Sequence, residues 1–268
     1  MQEESHTDWD EWLSSFPLKP GDTLWLTADL SRIAAYFAIN KKRFSPQLLV
    51  DDLIKRINPG TLLIPAFVQS YKRNQIFNLI DTLPTTGSLS KWAMKSSDFE
   101  RSNDPFHSFL IKGIHANLFL SAQSDSTFGS NSIFELLYRN NAVMLLWDVD
   151  FQHSFTFAHF VEEMLQVPYR TYRNYHIPIM KDGIISQHTV RYFEKKPGYQ
   201  LSLYPIKDLL IANNACMIHH HKGISCAWVD LHAAFHVIEE DILRHQGKNL
   251  VTFDRRQWCK DWIKRYIK

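Results

Sequence analysis

The stretch Ala142-Val-Met-Leu-Leu-Trp147 decides the fold class, because it is a short, continuous apolar run that follows the turn-forming pair Asn140-Asn141. A run of this length and composition is typical of a strand that is buried on both faces of a sheet. Two earlier runs have the same character, Thr23-Leu-Trp-Leu-Thr27 after Pro20-Gly21 and Thr61-Leu-Leu-Ile64 after Pro59-Gly60. Together they predict central strands of one sheet.

Helical patterns lie between these runs. Ser45-Pro46 begins an amphipathic segment that continues to residue 57, and shorter helices are predicted over residues 88–94 and 132–138. Strands that alternate with helices predict an α/β fold with a mixed central sheet flanked by helices. No repeat, low-complexity tract or linker interrupts the sequence, so we expect a single domain over residues 1–268.

The second half of the chain predicts an antiparallel pair and two helices. Residues 173–179 and 186–194 have strand character, and Lys181-Asp-Gly183 lies where a hairpin turn belongs. Residues 231–244 form a long amphipathic pattern, and residues 255–267 are predicted to form a terminal helix.

Composition excludes several classes of protein. The chain has 30 basic and 28 acidic residues, which gives no electrostatic reason to expect nucleic acid or membrane as the main partner. Residues 1–10 are polar and acidic, unlike a signal peptide, and no segment approaches the roughly 18 apolar residues of a membrane span. Cys216, Cys226 and Cys259 lack C-x-x-C spacing and are interpreted as reduced, buried thiols. We therefore expect a soluble cytoplasmic protein.

The first candidate catalytic segment is Thr156-Phe-Ala-His-Phe-Val-Glu162, which we place on a helix directly after the strand that ends at Trp147. The spacing of three puts Thr156, His159 and Glu162 on one face of that helix. Ligands of open α/β sheets bind beyond the carboxyl ends of the strands, so His159 is a candidate general base oriented by Glu162. The same spacing also fits a surface His–Glu pair, and two ligands are too few for a metal site.

A second segment, Arg101-Ser-Asn-Asp-Pro-Phe-His-Ser-Phe109, is a polar loop that leads into an apolar strand. His107 and Ser108 can donate hydrogen bonds to a thioester carbonyl or a phosphate, whereas the alternative is a capped turn held by Pro105. A third segment, Leu26-Thr-Ala-Asp-Leu30, leads from a strand into a helix whose free N–H groups suit a pyrophosphate. Its alternative is a simple helix cap.

Two further patterns are conspicuous but predict no site. His219-His220-His221 lies in a strand-like stretch, where neighbouring side chains point to opposite faces and three of them cannot bind one ion. We therefore predict no metal site. The basic, aromatic residues 255–268 are compatible with nucleic-acid binding, but the balanced overall charge favours a solvated amphipathic helix.

Taken in order, these segments resemble the aminoglycoside 3-N-acetyltransferase family, whose fold is distinct from that of the GNAT acetyltransferases. The family has a Val-His-Ser-Ser-Leu-like turn, a Gly-Thr-Leu-x-x-Pro-x-Phe strand, an Arg-Ser-x-x-Pro-x-His-Ser-Phe loop, a Gly-x-Ser-Pro helix start and a Thr-x-x-His-x-x-Glu helix. The matching segments here are residues 26–30, 60–67, 101–109, 129–133 and 156–162. Residues 223–231 also resemble the C-terminal strand of the family.

The resemblance implies direct transfer of an acetyl or other acyl group from acyl-CoA to an amine of an amino sugar. No cysteine lies in the five motif segments 26–30, 60–67, 101–109, 129–133 and 156–162, so a thiol-linked intermediate has no candidate nucleophile there. The residues that the resemblance and the spacing assign are His159, Glu162 and His107 for catalysis, Thr27, Asp29, Arg101 and Ser108 for acyl-CoA, and Thr156, Asp148 and Trp147 for the acceptor.

Departures from the family pattern bear on the acceptor. Ala28 and Asp29 replace two serines, Asp104 replaces a histidine, and Trp147 replaces a glycine. The acceptor therefore stays open between an aminoglycoside, as in antibiotic resistance, and a nucleotide-linked amino sugar, as in polysaccharide biosynthesis. The alternative function is an inactive CoA- or sugar-binding homologue. A homodimer is compatible with all of these readings.

Overall fold

The computed structural model describes residues 9–69 and 75–266. The strands are β1 Thr23–Ala28, β2 Thr61–Pro65, β3 Phe77–Asn78, β4 Glu100–Arg101, β5 Phe109–Gly113, β6 Val143–Trp147, β7 Arg170–Lys181, β8 Ile184–Lys195, β9 Tyr199–Leu201, β10 Cys216–His221, β11 Ile224–Asp230 and β12 Val251–Phe253. The helices are α1 Asp10–Leu13, α2 Leu30–Ile39, α3 Pro46–Ile57, α4 Gly87–Ala93, α5 Ala116–Leu120, α6 Ile133–Arg139, α7 Phe151–Ser154, α8 Phe157–Met164, α9 Tyr204–Ala212, α10 Leu231–His245 and α11 Arg255–Tyr266.

A mixed seven-stranded sheet with the order β10-β11-β6-β1-β2-β5-β4 forms the centre of the fold. The three apolar runs predicted as central strands are β6, β1 and β2, and they are parallel neighbours, with Leu24 opposite both Val143 and Leu62. The outer strands are antiparallel to their neighbours. The predicted mixed α/β sheet flanked by helices is confirmed.

Both faces of the sheet are covered, because alternate side chains of the central strands enter two separate cores. On β6, Met144 and Leu146 pack into one core, while Val143, Leu145 and Trp147 pack into the other. Full burial of each such apolar side chain contributes roughly 1.5 to 3 kcal/mol relative to exposure. This double burial explains why the runs are continuously apolar instead of alternating.

A long hairpin lies outside the main sheet. Strands β7 and β8 pair along their whole length, from Arg170 opposite Lys195 to Lys181 opposite Ile184, with β3 parallel to β7. Asp182 and Gly183 make the turn with φ of 51° and 76°, the left-handed values that a two-residue hairpin requires. The predicted hairpin is confirmed, although it begins earlier than residue 173.

Two expectations need correction or limitation. The Thr156–Glu162 segment does not follow β6 directly, because Asp150 caps the additional short helix α7 by accepting a hydrogen bond from the His153 amide at 3.2 Å. Residues 1–8, which carry most of the predicted polar N-terminal segment, and residue 267 of the predicted terminal helix lie outside the described residues.

Cysteine burial agrees with expectation at two positions of three. Cys216 and Cys226 are buried, and burial raises the pKa of the Cys216 thiol to about 12. Cys259 is exposed on the terminal helix, so the prediction of a buried thiol is wrong there. Among the described residues, no helix has the length and apolar character needed to cross a membrane.

Candidate active site

A cavity of about 720 Å³ lies at the carboxyl ends of β1 and β2. Thr27 and Ala28 at the end of β1 line it, and so do Thr156 and His159 from the start of α8. Adjacent parallel strands end at the same edge of the sheet, which is where ligands of α/β proteins bind. The structure thus brings the first-strand exit and the Thr-x-x-His-x-x-Glu helix to one cavity.

His159 and Glu162 form a direct pair within this site. The distance from His159 Nδ1 to Glu162 Oε2 is 2.8 Å, and the exposed fractions of the two side chains are 20% and 0%. The spacing of three residues on α8 produces this contact, as predicted. The ring of Phe128 meets the imidazole edge-on, with centroids 5.5 Å apart.

Arg170 contacts both members of this pair. Its guanidinium lies 2.7 Å from the same Glu162 Oε2 and 2.8 Å from His159 Nδ1. A guanidinium only donates hydrogen bonds, so one ring nitrogen cannot both donate to Glu162 and accept from Arg170. We assign a proton to His159 Nδ1, so that this nitrogen donates to the Glu162 carboxylate. The carboxylate then accepts a second hydrogen bond from Arg170. This tautomer leaves the lone pair on Nε2, the nitrogen that a general base requires.

Opposing effects act on the pKa of His159. Burial lowers the imidazole pKa most and the positive charge of Arg170 lowers it further, whereas Glu162 raises it, so the net direction is downward. The pKa of Glu162 is also lowered, because the charge of Arg170 and the hydrogen bond from His159 outweigh the effect of burial. The site therefore holds a carboxylate beside an imidazole that is neutral at neutral pH.

His107 is another imidazole at this cavity, which is also lined by His153. Its ring lies among Phe67, Phe128 and Tyr192, with centroid distances of 4.5, 4.8 and 5.7 Å. Its Nδ1 is buried and has no hydrogen-bond partner in the described part of the chain. Burial, followed by the charge of His159, lowers the His107 pKa to about 3. A neutral ring with an unpartnered nitrogen can donate or accept one hydrogen bond.

The backbone before His107 is held by Asp104. Its carboxylate accepts hydrogen bonds from the amides of Phe106 at 2.8 Å and His107 at 2.6 Å. Burial raises the Asp104 pKa against the opposing effect of these amides. The residue that departs from the family pattern thus caps the turn that presents His107.

The assignment of Arg101 and Ser108 to acyl-CoA binding needs correction. Arg101 donates to the backbone carbonyls of Thr82 at 2.5 Å and Ala66 at 2.9 Å, and to Ser108 Oγ at 2.9 Å. Ser108 is fully buried and donates to the same Ala66 carbonyl at 2.9 Å. Neither residue lines the cavity. Their polar groups are used to hold the loops beneath it.

The acceptor assignment of Trp147 and Asp148 also needs correction. Trp147 is fully buried on the far face of β6, against Trp9 and Trp12 at centroid distances of 6.1 and 5.9 Å. The Asp148 side chain is 2% exposed and pairs with Arg32, whose Nε lies 2.7 Å from it. Neither side chain lines the cavity. Sequence order placed them after a central strand, but the alternation of side chains along β6 turned Trp147 into the core.

Thr27 and Asp29 do reach the cavity, with different roles. Thr27 lines the cavity, and its Oγ1 is buried without a hydrogen-bond partner among the described residues. Asp29 caps α2 by accepting from the Ser31 amide at 2.8 Å. Its carboxylate occupies the helix terminus that we expected to attract a pyrophosphate. A carboxylate at this position disfavours the binding of a phosphate group there.

Some cavity residues were not anticipated from the sequence. Tyr175, Tyr192 and Glu194 line the cavity from the hairpin, and Tyr175 donates a hydrogen bond to Glu194. Arg170 was also missed, because it lies before the predicted start of the strand. The available signal was that residues 170–172 extend the strand pattern back toward α8.

The three consecutive histidines lie on β10, away from the cavity. His221 pairs with Glu11, and His219 Nδ1 lies 3.4 Å from Ser15 Oγ. Across the described ranges 9–69 and 75–266, no group of three or more histidine, cysteine, aspartate or glutamate side chains is arranged to hold a metal ion.

Comparison with known proteins decides the family. A sequence profile described as aminoglycoside 3-N-acetyltransferase matches residues 34–242, which is most of the chain. The chain belongs to the aminoglycoside 3-N-acetyltransferase family. The reaction class expected from the sequence motifs, N-acetylation with acetyl-CoA as co-substrate, is thereby confirmed at the level of the family. No curated protein sequence matches significantly.

Solved structures with the same fold include other members of this acetyltransferase family. The AAC-IIIb complex with CoASH is 16% identical, with a TM-score of 0.75 over 87% of this chain and 94% of that one. YokD from Bacillus subtilis is 20% identical, with a TM-score of 0.70 over 89% and 93%. Sisomicin-bound AAC-VIa is 16% identical, with a TM-score of 0.69 over 88% and 96%. At these identities the comparison supports the fold alone.

Proposed function

We propose that the protein acetylates a primary amine of an aminoglycoside, with acetyl-CoA as donor and His159 as general base. The observation that carries the proposal is the His159–Glu162 pair, which lies in one cavity with the unpartnered hydroxyl of Thr27. A base whose second ring nitrogen is held by a buried carboxylate is suited to remove a proton from an attacking amine.

The proposed reaction is a direct transfer. The neutral amine nitrogen attacks the thioester carbonyl carbon, and His159 Nε2 takes a proton from that nitrogen. The resulting oxyanion collapses, the carbon–sulfur bond breaks, and the imidazolium returns the proton to the leaving thiolate. The products are an amide and CoA thiol, and no acyl-enzyme is formed.

Two further groups are assigned to the binding of the acetyl-CoA thioester. Neutral His107 and the Thr27 hydroxyl line this cavity, and His107 Nδ1 and Thr27 Oγ1 have no hydrogen-bond partner among the described residues, so we assign them as donors to the thioester carbonyl oxygen. Such a donor stabilises the oxyanion more than the ground state. Thr156, which also lines the cavity and makes no capping hydrogen bond of its own, is assigned to the acceptor.

The charge of the cavity favours a cationic acceptor. Asp29 and Glu194 are carboxylates on its lining. They attract the ammonium groups of an aminoglycoside and repel the diphosphate of a nucleotide-linked sugar. The sisomicin and CoASH complexes of the relatives support the same pair of substrates.

The single-domain organisation over residues 1–268, the cytoplasmic location and the homodimer remain predictions of the sequence.

The test is thiol release from acetyl-CoA with sisomicin, gentamicin and a nucleotide-linked amino sugar as acceptors. We expect release that depends on the aminoglycoside, with a product heavier by one acetyl group. If acetyl-CoA raises the melting temperature but no amine is acetylated, the chain is an inactive CoA-binding homologue. If folded protein shows neither turnover nor a melting shift at millimolar acetyl-CoA, the proposal fails.

A further inference from the structure

Arg170 is the first residue of β7, and it lies beneath the His159–Glu162 pair. Its side chain is 5% exposed. Its Nη1 donates to the carbonyl of Phe193 on β8 at 3.0 Å, while its Nη2 reaches Glu162 Oε2 at 2.7 Å. One end of the guanidinium is therefore fixed by the hairpin backbone, and the other end contacts the carboxylate that holds the imidazole.

From this arrangement we infer that Arg170 is a positioning residue, which fixes the Glu162 carboxylate and so sets the orientation and charge state of His159. The inferred effect of Arg170 on catalysis rests on the function proposed above. Arg170 does not line the cavity, so it acts through Glu162 and not on the substrate.

A purely structural role explains the arrangement less well. A buried ion pair gives little net stability compared with apolar side chains of similar volume, because both charges lose their hydration. Here, in addition, the carboxylate oxygen that accepts from Arg170 is the one that contacts His159 Nδ1. An arginine placed only for stability does not need to share that oxygen with the imidazole.

The charges around His159 act in opposite directions. Glu162 favours the imidazolium, whereas Arg170 opposes it, and Lys195 on β8 opposes it more weakly. His107 faces His159 from the Asp104 loop, and Tyr169 lies against Glu162. Arg170 is the nearest cation in this set. Without it, the pair would retain a carboxylate that stabilises the protonated and therefore inactive base.

The experiment compares Arg170→Lys, Arg170→Met, Glu162→Gln and the double variant Glu162→Gln/Arg170→Met. The His159 imidazole is titrated by NMR, with the resonance assigned from His159→Asn. The key comparison is between Glu162→Gln and the double variant, which differ only at position 170, where methionine replaces the positively charged arginine. We expect a higher His159 pKa in the double variant, because a positive charge has been removed. An equal or lower pKa overturns the inference.

The second readout is acetyl transfer from acetyl-CoA to sisomicin between pH 5 and pH 9. Arg170→Met is expected to lower kcat by about 10-fold to 100-fold, the usual result of misplacing a catalytic group, with KM for acetyl-CoA within a few-fold. Arg170→Lys is expected to recover most of kcat, because it retains the charge. A lysine variant no better than the methionine variant contradicts the positioning role.

The outcomes separate this inference from the proposed function. If no parent activity is found with any acceptor, the proposed function fails, and the NMR comparison alone decides the electrostatic role of Arg170. If Arg170→Met does not fold, the double variant still gives the NMR comparison with Glu162→Gln, and that comparison decides the inference. A folded, active Arg170→Met enzyme with the parental pH profile overturns the inference.

Discussion

Two His-x-x-Glu pairs occur on helices of this protein, and they differ in almost everything except their spacing. His159 and Glu162 on α8 are 2.8 Å apart, with side chains 20% and 0% exposed. His236 and Glu239 on α10 are 3.1 Å apart, with side chains 53% and 32% exposed. The first pair lies at a cavity with Arg170 beside it, and the second is a surface pair.

The comparison teaches that helical spacing creates the contact but not the chemistry. Residues three apart meet on any helix. What distinguishes α8 is burial, which weakens the protonated imidazole, and a cation that holds the carboxylate ionised. The sequence analysis allowed a surface His–Glu pair as the alternative for His159 and Glu162. His236 and Glu239 form such a pair, so their variants are matched controls for those of His159 and Glu162.

The largest expected effect is the loss of activity when His159 is replaced, with His236 as the matched control. His159→Ala is expected to lower kcat by about two to four orders of magnitude, the usual contribution of a general base, while acetyl-CoA affinity changes by no more than a few-fold. His236→Ala is expected to keep parental kcat. Both variants are first compared with the parent by thermal melting. Near-parental activity of a folded His159→Ala enzyme from pH 6 to pH 9 contradicts the base assignment.

The two glutamates sharpen the same comparison through stability. Glu162→Gln leaves Arg170 buried without its carboxylate partner, so we expect it to lower the free energy of unfolding by about 3 to 5 kcal/mol. Glu239→Gln breaks an exposed pair and is expected to cost about 0 to 1 kcal/mol. Urea denaturation of both variants measures the difference. Equal losses would mean that burial does not distinguish the two pairs.

Arg101 allows a test of the corrected assignment. Arg101→Met removes the donor to the Thr82 carbonyl and the donor to Ser108 Oγ, while Ser108 still donates to the Ala66 carbonyl, and unsatisfied buried groups cost about 1 to 3 kcal/mol each. We therefore expect a loss of roughly 3 kcal/mol, but acetyl-CoA affinity within a few-fold of the parent for the folded fraction. Arg244→Met, at an exposed ion pair, is the control. A large loss of affinity without a loss of stability would restore Arg101 to the ligand site.

The smallest effect is a change in pH dependence at His107. The folded-state pKa is about 3, below the ordinary value of 6.5, so only the unfolded chain takes up this proton between those limits. Stability is therefore lost as pH falls below 6.5, by up to about 1.4 kcal/mol per pH unit. His107→Phe, among aromatic neighbours, is expected to reduce that slope. Urea denaturation at pH 7 and pH 5 measures it, with His236→Phe as control.

If the pH dependence of His107→Phe equals that of the parent, His107 is not held neutral by its surroundings. Its role as a neutral donor to the thioester would then need to be abandoned. The comparison uses the difference between two pH values, so a uniform change in stability caused by the larger phenylalanine ring does not affect the result.

Much of the fold follows from the sequence, because the three apolar runs had to be central strands and the turn residues marked the hairpin. The contact between His159 and Glu162 was also predictable from local spacing. Other contacts depend on distant parts of the chain. The carbonyls that bind Arg101, the tryptophans that surround Trp147 and the approach of Arg170 to Glu162 involve separate elements, so no local pattern predicted them.

The packing of the first helix has a consequence for the order in which the molecule is completed during synthesis. Trp9 and Trp12 are fully enclosed by contacts that include Trp147 of β6, a strand made far later in the chain. Until that strand leaves the ribosome, the two indole rings have no finished surface to cover them. Trp9 and Trp12 are therefore made early but become fully buried only after residue 147 has been synthesised.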